Sequence, residues 1–333
     1  MSKPVHALSL RERTLSLTEG ALLAALTALV ALLVVVFGQL GLMAAPLPLF
    51  VLTYRRGVRS AILAAVVAGL VLSPFFGFPQ GLLFVGAFAP MGIVQGLVAR
   101  RNPPNLASRA VGLGVLVGLG VTVLSVAVSR LVLGLDPFQT LIETQVKAVQ
   151  SAQEMLRRMG APPQQVQQME ELAKRLPTFL RTLLPAALLF GVLLWSYGAY
   201  TLARHTVRRL GVELPGFPPI LTWRLPPAAA IALVLPVLVG AAFQPYAPGL
   251  GTVLVANGFM ASLFVFAFFG ILTVLHYLNA RDVPKGARVL AVLAVFLLGD
   301  PGILAMAILG LVDLWFDLRR VGPRAPRTEE EEA

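Results

Sequence analysis

Few side chains in this 333-residue chain have the chemistry for catalysis or metal binding. The chain has no cysteine, which excludes disulfides, thiol chemistry and cysteine metal sites. Its histidines, His6, His205 and His276, are far apart, and none has a second ligand at metal-site spacing. No nucleophile elbow, Walker loop or HExxH motif occurs. We therefore predict no catalytic residue, no metal and no cofactor, in a protein that is not an enzyme.

Acidic and amide side chains within apolar segments are the next candidates, because polar groups are costly in a membrane. Asp300 lies in a Gly-Asp-Pro-Gly sequence, where turn formation and a role in a site are both open. Asp313 and Asp317 share a helical face, and we expect pairing with basic neighbours, such as Asp317 with Arg320, in preference to proton transport. Asn257 is the most isolated polar group in an apolar run, suited to an interhelical hydrogen bond or to a ligand.

Two uncharged aromatic segments, each bent by proline, are candidate ligand contacts. Such residues usually anchor a protein at the membrane interface. Together they could instead line the mouth of a pocket for a small apolar or aromatic ligand. The candidate contacts, with Asn257, are Phe75, Phe76, Phe78, Gln80, Gln244 and Tyr246.

The elements that must position these residues are membrane helices. The chain is 57% hydrophobic and 13% charged, whereas a soluble domain has about 25% charged residues. We predict an all-α fold, a polytopic transmembrane helical bundle of about 8 to 10 membrane segments. The candidate spans are residues 20–37, 40–53, 58–74, 80–99, 110–134, 178–203, 226–243, 251–276, 288–298 and 303–317.

Basic residues fix the predicted orientation, because lysine and arginine accumulate on the cytoplasmic side. Twenty of the 27 lysine and arginine residues lie in segments assigned to the cytoplasm. The short outer loops, including 299–302, have no lysine or arginine. We predict a bacterial cytoplasmic (inner) membrane protein with both termini cytoplasmic and an uncleaved first span. Residues 289–317 should form a hairpin around Gly299 to Gly302, because basic segments flank them on both sides. The net charge of +11 does not indicate nucleic acid, since the basic residues flank apolar runs; the partner is the lipid bilayer.

This pattern divides the chain into four parts. Residues 1–134 and 178–317 are membrane bundles, and residues 318–333 form a charged cytoplasmic tail that we expect to be disordered. Residues 135–177 have apolar side chains at helical spacing and predict an external amphipathic helical hairpin. The hairpin could be a connector packed on the outer face, a lid over an outward pocket, or an arm that docks a partner.

Small residues in the spans indicate close helix packing. Gly92 with Gly96 and Gly114 with Gly118 form GxxxG pairs, which let helix backbones approach closely in lipid. We assign both pairs to structural packing and not to a glycine-rich ligand loop.

Several short motifs carry a family resemblance. They are Leu17–Leu26, Pro46–Pro48, Tyr54–Gly57, Gly216–Pro219, Trp223–Pro226, Gly310–Asp313 and Phe316–Arg319. In this order they resemble the YybS-like family of bacterial multi-pass inner-membrane proteins. The resemblance covers nearly the whole chain and implies a location and topology, not an activity.

The first half also resembles, more distantly, the substrate-binding S components of energy-coupling-factor transporters. That resemblance implies capture of a small molecule and docking on an energy-coupling ATPase module through small residues of the first helix. Ala21 with Ala25, or Ala24 with Ala28, could form such a surface. The chain differs from that pattern in having more spans and a large outer hairpin.

Two functions follow. The first is a membrane protein that binds or helps to take up a small molecule, S-component-like, without catalysis of its own. The alternative is a structural or assembly factor of the membrane that recruits partners through its basic cytoplasmic loops or its outer hairpin.

Overall fold

The computed structural model describes residues 43–78 and 80–320, together with residues 18, 22, 24–30 and 32. All regular structure in these residues is helical, which confirms the predicted all-α membrane bundle. Most of the predicted span 20–37 and of the tail 318–333 lies outside the described residues. The helices are α1 Leu47–Arg56, α2 Val58–Phe76, α3 Gln80–Arg101, α4 Leu106–Leu133, α5 Pro137–Arg158, α6 Pro163–Arg209, α7 Pro227–Phe243, α8 Pro248–Ala280, α9 Lys285–Leu297 and α10 Asp300–Phe316.

Five of these helices are long and apolar enough to cross a membrane, namely α2, α3, α4, α6 and α8. Helix α7 is also apolar but shorter. The longest, α6, has 47 residues and is therefore about 70 Å long, more than twice the thickness of the hydrocarbon layer. It joins the second half of the predicted hairpin to the predicted span 178–203 without a break. This continuity was not predicted, because Pro177, a helix-breaking residue at the predicted boundary, lies inside the helix.

The chain forms two compact units whose boundaries fall within α5 and α6. Unit 1 comprises residues 1–151 and 187–217, and unit 2 comprises residues 152–186 and 218–333. Helices α5 and α6 each contribute their two ends to different units, and the predicted division at residues 134 and 177 stays a prediction.

In unit 1, α3 packs against α1, α2 and α4. Glycines make these contacts close. A Cβ atom on Gly92 would lie 2.4 Å from the Pro46 carbonyl oxygen, and one on Gly96 would lie 2.6 Å from that of Phe50. The prediction that the GxxxG pairs serve packing is thereby confirmed.

In unit 2, α8 packs against α7 and α10. The contact with α10 is made by backbone, since a Cβ atom on Gly270 would lie within 1.9 Å of the Met306 carbonyl oxygen. Helices α9 and α10 are bent by 115° at Gly299. The prediction that residues 289–317 form two helices and not one straight span is confirmed.

The segment predicted as an external hairpin begins with a capped helix. The Asp136 carboxylate precedes α5 and accepts hydrogen bonds from the backbone N–H groups of Phe138 and Gln139. The Gln139 N–H, followed by Arg130, lowers the pKa of Asp136, since these groups favour the ionised form. Within unit 2, the end of α5 lies beside the start of α6, where Gln153 Nε2 donates to the Val166 carbonyl oxygen at 3.4 Å.

Candidate functional site

A polar cluster lies in the interior of unit 1, between α3, α4 and the 187–209 portion of α6. Gln95 of α3 is only 1% exposed. Its Nε2 donates to the backbone oxygen of Ser196 and to Ser196 Oγ, both at 2.9 Å. Ser196 Oγ in turn donates to the Val111 carbonyl oxygen of α4 at 2.9 Å. We name these three residues the Gln95 cluster.

A glycine makes room for the Gln95 cluster. A Cβ atom on Gly114 would lie 2.2 Å from Ser196 Oγ and 2.8 Å from Gln95 Nε2. Gly114 is one of the predicted packing residues, whereas Gln95 and Ser196 were not predicted as site residues. The signal was present, since Gln95 is an amide within the apolar run 80–99, where polar side chains often have a specific role.

The carbonyl oxygen of the Gln95 side chain is the unusual atom of this cluster. Both amide hydrogens are used by Ser196, and this fixes Oε1 on the other side of the amide group. Among the described residues, no group donates a hydrogen bond to Oε1. Leaving a buried acceptor without a donor costs about 1–3 kcal/mol.

We predict that Gly114→Ala disrupts the Gln95 cluster. Its methyl group would overlap Ser196 Oγ, so the mutant should unfold at a lower temperature than the wild type. Gly112→Ala is the matched control, because no atom lies within 4 Å of a Cβ there. That control should gain up to about 1 kcal/mol from helix propensity. Thermal unfolding in detergent measures both, and equal transition temperatures would contradict the prediction.

The first aromatic segment predicted for ligand binding lies at the end of α2 and the start of α3. Phe75, Phe78 and Gln80 are exposed, whereas Phe76 packs on Phe84 with ring centroids 5.2 Å apart. In unit 2, Tyr246 is 86% exposed, and Gln244 Nε2 donates to Thr252 Oγ1 at 3.4 Å. Exposed aromatic side chains are typical of interface anchors. A role of these residues in ligand binding stays a prediction.

Asn257 forms interhelical hydrogen bonds, which is one of the two roles predicted for it; the other is ligand binding. Its Oδ1 accepts from the Ala186 N–H at 2.8 Å, and its Nδ2 donates to the Thr182 carbonyl oxygen at 2.6 Å and to that of Val253 at 2.7 Å. Thr182 and Ala186 are one helical turn apart, on either side of the helix-breaking Pro185. The amide of Asn257 thus bridges the gap that proline opens in α6, and both its hydrogens are already in use.

The alanines predicted to dock a partner occupy different surroundings. Ala24 and Ala28 are buried in the core of unit 1, so their own chain already covers this pair. Ala25 is exposed, and Ala21 lies outside the described residues. Docking through Ala21 and Ala25 stays a prediction.

A buried ion pair lies at the end of α10 in unit 2. Arg319 and Asp313 bond at 2.9 Å, and their side chains are only 1% and 6% exposed. Two further guanidinium hydrogens go to backbone, because Arg319 donates to the carbonyl oxygens of Leu221 at 3.2 Å and Trp223 at 2.9 Å. The expected pairing of Asp313 with a basic neighbour is confirmed.

A second ion pair lies beside the first. The carboxylate of Asp317 is 3.7 Å from the guanidinium of Arg224. This ion pair therefore links the motif Trp223–Pro226 to the motif Phe316–Arg319, which lies nearly 100 residues further along the chain. Together the two ion pairs tie the loop that contains Leu221, Trp223 and Arg224 to the end of α10. No group of three or more His, Asp or Glu side chains suited to a metal occurs in the part of the chain that the structure describes.

Comparison with known proteins assigns the chain to a family. A family model described as "Predicted membrane protein (DUF2232)" matches residues 21–314. The chain is 26% identical to the Bacillus subtilis (strain 168) protein titled "Uncharacterized protein YybS" over 313 residues, which are 92% of this chain and 98% of that protein. No solved structure matches. With a match over most of its length, the chain belongs to the DUF2232 family of predicted membrane proteins.

Proposed function

We propose that this membrane protein binds a small, uncharged molecule inside unit 1, without catalysis of its own. The single observation that carries the proposal is the buried Oε1 atom of Gln95, which has no hydrogen-bond donor among the described residues. A ligand with an N–H or O–H group would supply that donor.

The surroundings of the Gln95 cluster support an otherwise apolar ligand. Met91 and Val192 are buried one helical turn from Gln95 and Ser196, and both approach Gly118 closely. The polar partners at the site are a hydroxyl and backbone groups, and none carries a charge. Because a buried charge needs a partner, this site favours a neutral ligand.

Gln95 and Ser196 offer a direct test of the proposal. We expect wild-type protein, gently purified in detergent, to retain a small molecule that native mass spectrometry detects. Gln95→Met should lose it, because methionine has similar size but no acceptor. Ser196→Ala is the matched control, since it also removes cluster hydrogen bonds yet keeps Oε1, and it should retain the ligand. Retention by Gln95→Met, or no bound molecule in the wild type, would refute the binding site.

We further propose that the protein lies in the bacterial cytoplasmic membrane with both termini cytoplasmic and residues 135–177 outside. The support is the one-sided distribution of lysine and arginine. Reporter fusions after Arg101 and Arg327 should be active only inside, and a fusion after Met159 only outside. A reporter exposed outside after Arg101 or Arg327 would rule out this topology.

A scaffold function is the second candidate. Exposed Phe75, Phe78 and Tyr246 fit membrane anchors better than pocket walls, and α6 extends well beyond the length of one span. A scaffold should copurify with another subunit in fixed ratio and should keep that subunit in Gln95→Met. A binder with S-component-like uptake should instead lose ligand in this variant while its subunit composition is unchanged.

A further inference from the structure

Three segments at one end of unit 1 carry a large excess of positive charge. They are residues 54–60, 98–109 and 204–214. Together they contain nine arginines and a single acidic residue, Glu213. Tyr54, Val98 and Val207, one from each segment, pack in or against the same buried apolar cluster, so the three segments meet. An anionic partner would offset the repulsion among these charges.

Arg100, at the end of α3, lies over the turn between α1 and α2. A Cβ atom on Gly57, the residue between these two helices, would lie 2.8 Å from Arg100 Nη1. Gly57 has no Cβ atom and adopts a φ of 94°, so the turn leaves room for the guanidinium group. Arg59 follows two residues later, in the first turn of α2. Two arginines from different helices are thus brought to the start of α2.

Neither of these two arginines has an acceptor in the part of the chain that the structure describes. Arg59 and Arg100 are both exposed, and neither side chain forms a hydrogen bond or an ion pair with a described residue. Arg130, toward the opposite end of α4 in the same unit, instead forms an ion pair with Asp136. A guanidinium group binds phosphate through two parallel hydrogen bonds, so Arg59 and Arg100 suit a phosphate group from another molecule.

An apolar stripe begins one helical turn after Arg59 and follows the same face of α2. Its side chains lie three, four, seven, eight, eleven and twelve positions after Arg59, the spacing of one helical face. They are 46–67% exposed, and they are Ile62, Leu63, Val66, Val67, Leu70 and Val71. From Ile62 to Val71 the stripe is about 14 Å long, close to half of the roughly 30 Å hydrocarbon layer. The stripe therefore matches the acyl chains of a single lipid leaflet.

We propose that this end of unit 1 binds an anionic phospholipid along α2. Its phosphate group accepts hydrogen bonds from Arg59 and Arg100, and its acyl chains lie on the stripe from Ile62 to Val71. A soluble anion would leave the stripe unused, and a zwitterionic lipid would add its own positive charge to a region rich in arginine. Basic pockets between membrane helices bind anionic headgroups in this way. The site shares no residue with the Gln95 cluster, so either proposal can fail without the other.

The lipid dependence of thermal unfolding tests this site in full-length protein purified in a neutral detergent. Phosphatidylglycerol should raise the unfolding temperature, and phosphatidylcholine with the same acyl chains should raise it much less. Arg59→Gln combined with Arg100→Gln should weaken the apparent affinity for phosphatidylglycerol by about 30-fold, since each arginine near an anionic surface contributes roughly fivefold. Arg130→Gln is the matched control, because this arginine already pairs with Asp136, and it should leave the affinity unchanged.

Two soluble probes separate the lipid from other anions. Glycerol 3-phosphate has the headgroup charge without acyl chains, and polyglutamate is a soluble polyanion. Equal stabilisation by either probe would identify a water-soluble partner and would overturn the lipid site. Equal stabilisation by the two lipids, or an unchanged affinity in the double variant, would overturn it as well. If the double variant does not fold, Arg59→Gln alone should still weaken the affinity by about fivefold.

Discussion

Replacing Asn257 with leucine will sharply destabilise the protein. In the wild type, the Asn257 amide bonds the Ala186 N–H and the Thr182 carbonyl oxygen, which face the gap at Pro185. Leucine leaves both groups without a partner in the hydrocarbon, and each lost partner costs about 1–3 kcal/mol. We expect a strongly lowered unfolding temperature or loss of folded protein, measured by size-exclusion chromatography after heating.

Pro185→Ala provides the control for this prediction. Alanine restores a backbone N–H and removes the ring that separates the two turns, so Ala186 can bond Thr182 directly. In this background, Asn257→Leu should have a small effect, and the double-mutant cycle should show strong coupling. Additive effects would show that Asn257 acts by something other than bridging the proline gap.

Removing one partner of the buried ion pair will have the second large effect. Asp313→Ala leaves Arg319 buried with an uncompensated charge, which typically costs 3–5 kcal/mol. The loop carbonyl groups of Leu221 and Trp223 then lose a well-positioned donor. We expect the mutant to unfold at a much lower temperature and to expose the 218–226 loop to protease.

An exposed ion pair is the control for Asp313→Ala. Glu171 and Arg175 lie one helical turn apart at 3.5 Å with both side chains largely exposed. Solvent and salt screen such pairs, so Glu171→Ala should change stability by less than about 1 kcal/mol. Equal effects of the two substitutions would show that the Asp313 pair is not stabilised by burial.

The lengths of the apolar runs and the positions of the basic segments between them were sufficient to predict the membrane class and the broken helix pair α9–α10. Both depend on local features, namely about 20 apolar residues per span and a Gly-Asp-Pro-Gly break. They did not predict that α6 runs through Pro177, because the predicted span 178–203 begins directly after that proline. The structure continues through Pro185 because Asn257, 72 positions later, replaces the missing helical hydrogen bond. A tertiary contact of this kind leaves no local pattern in the sequence.

The candidate site, like the fold, could be predicted only in part from the sequence. Uncharged aromatic segments bent by proline resemble pocket mouths, so the sequence indicates them as ligand contacts and indicates Gly114 as a packing residue alone. Gln95 and Ser196 are 101 residues apart, and neither has a motif around it. Only the approach of three helices at Gly114 shows that the Gln95 amide donates both hydrogens to Ser196 and that Oε1 has no donor among the described residues.

An experimental density map of the purified protein tests the binding proposal most directly. We predict non-protein density larger than one water molecule within about 2.7–3.2 Å of Gln95 Oε1, the range of a hydrogen bond. That density should extend over apolar side chains such as Met91 and Val192. A single water, or a donor from the protein's own chain at Oε1, would contradict the proposal that unit 1 binds a small molecule there.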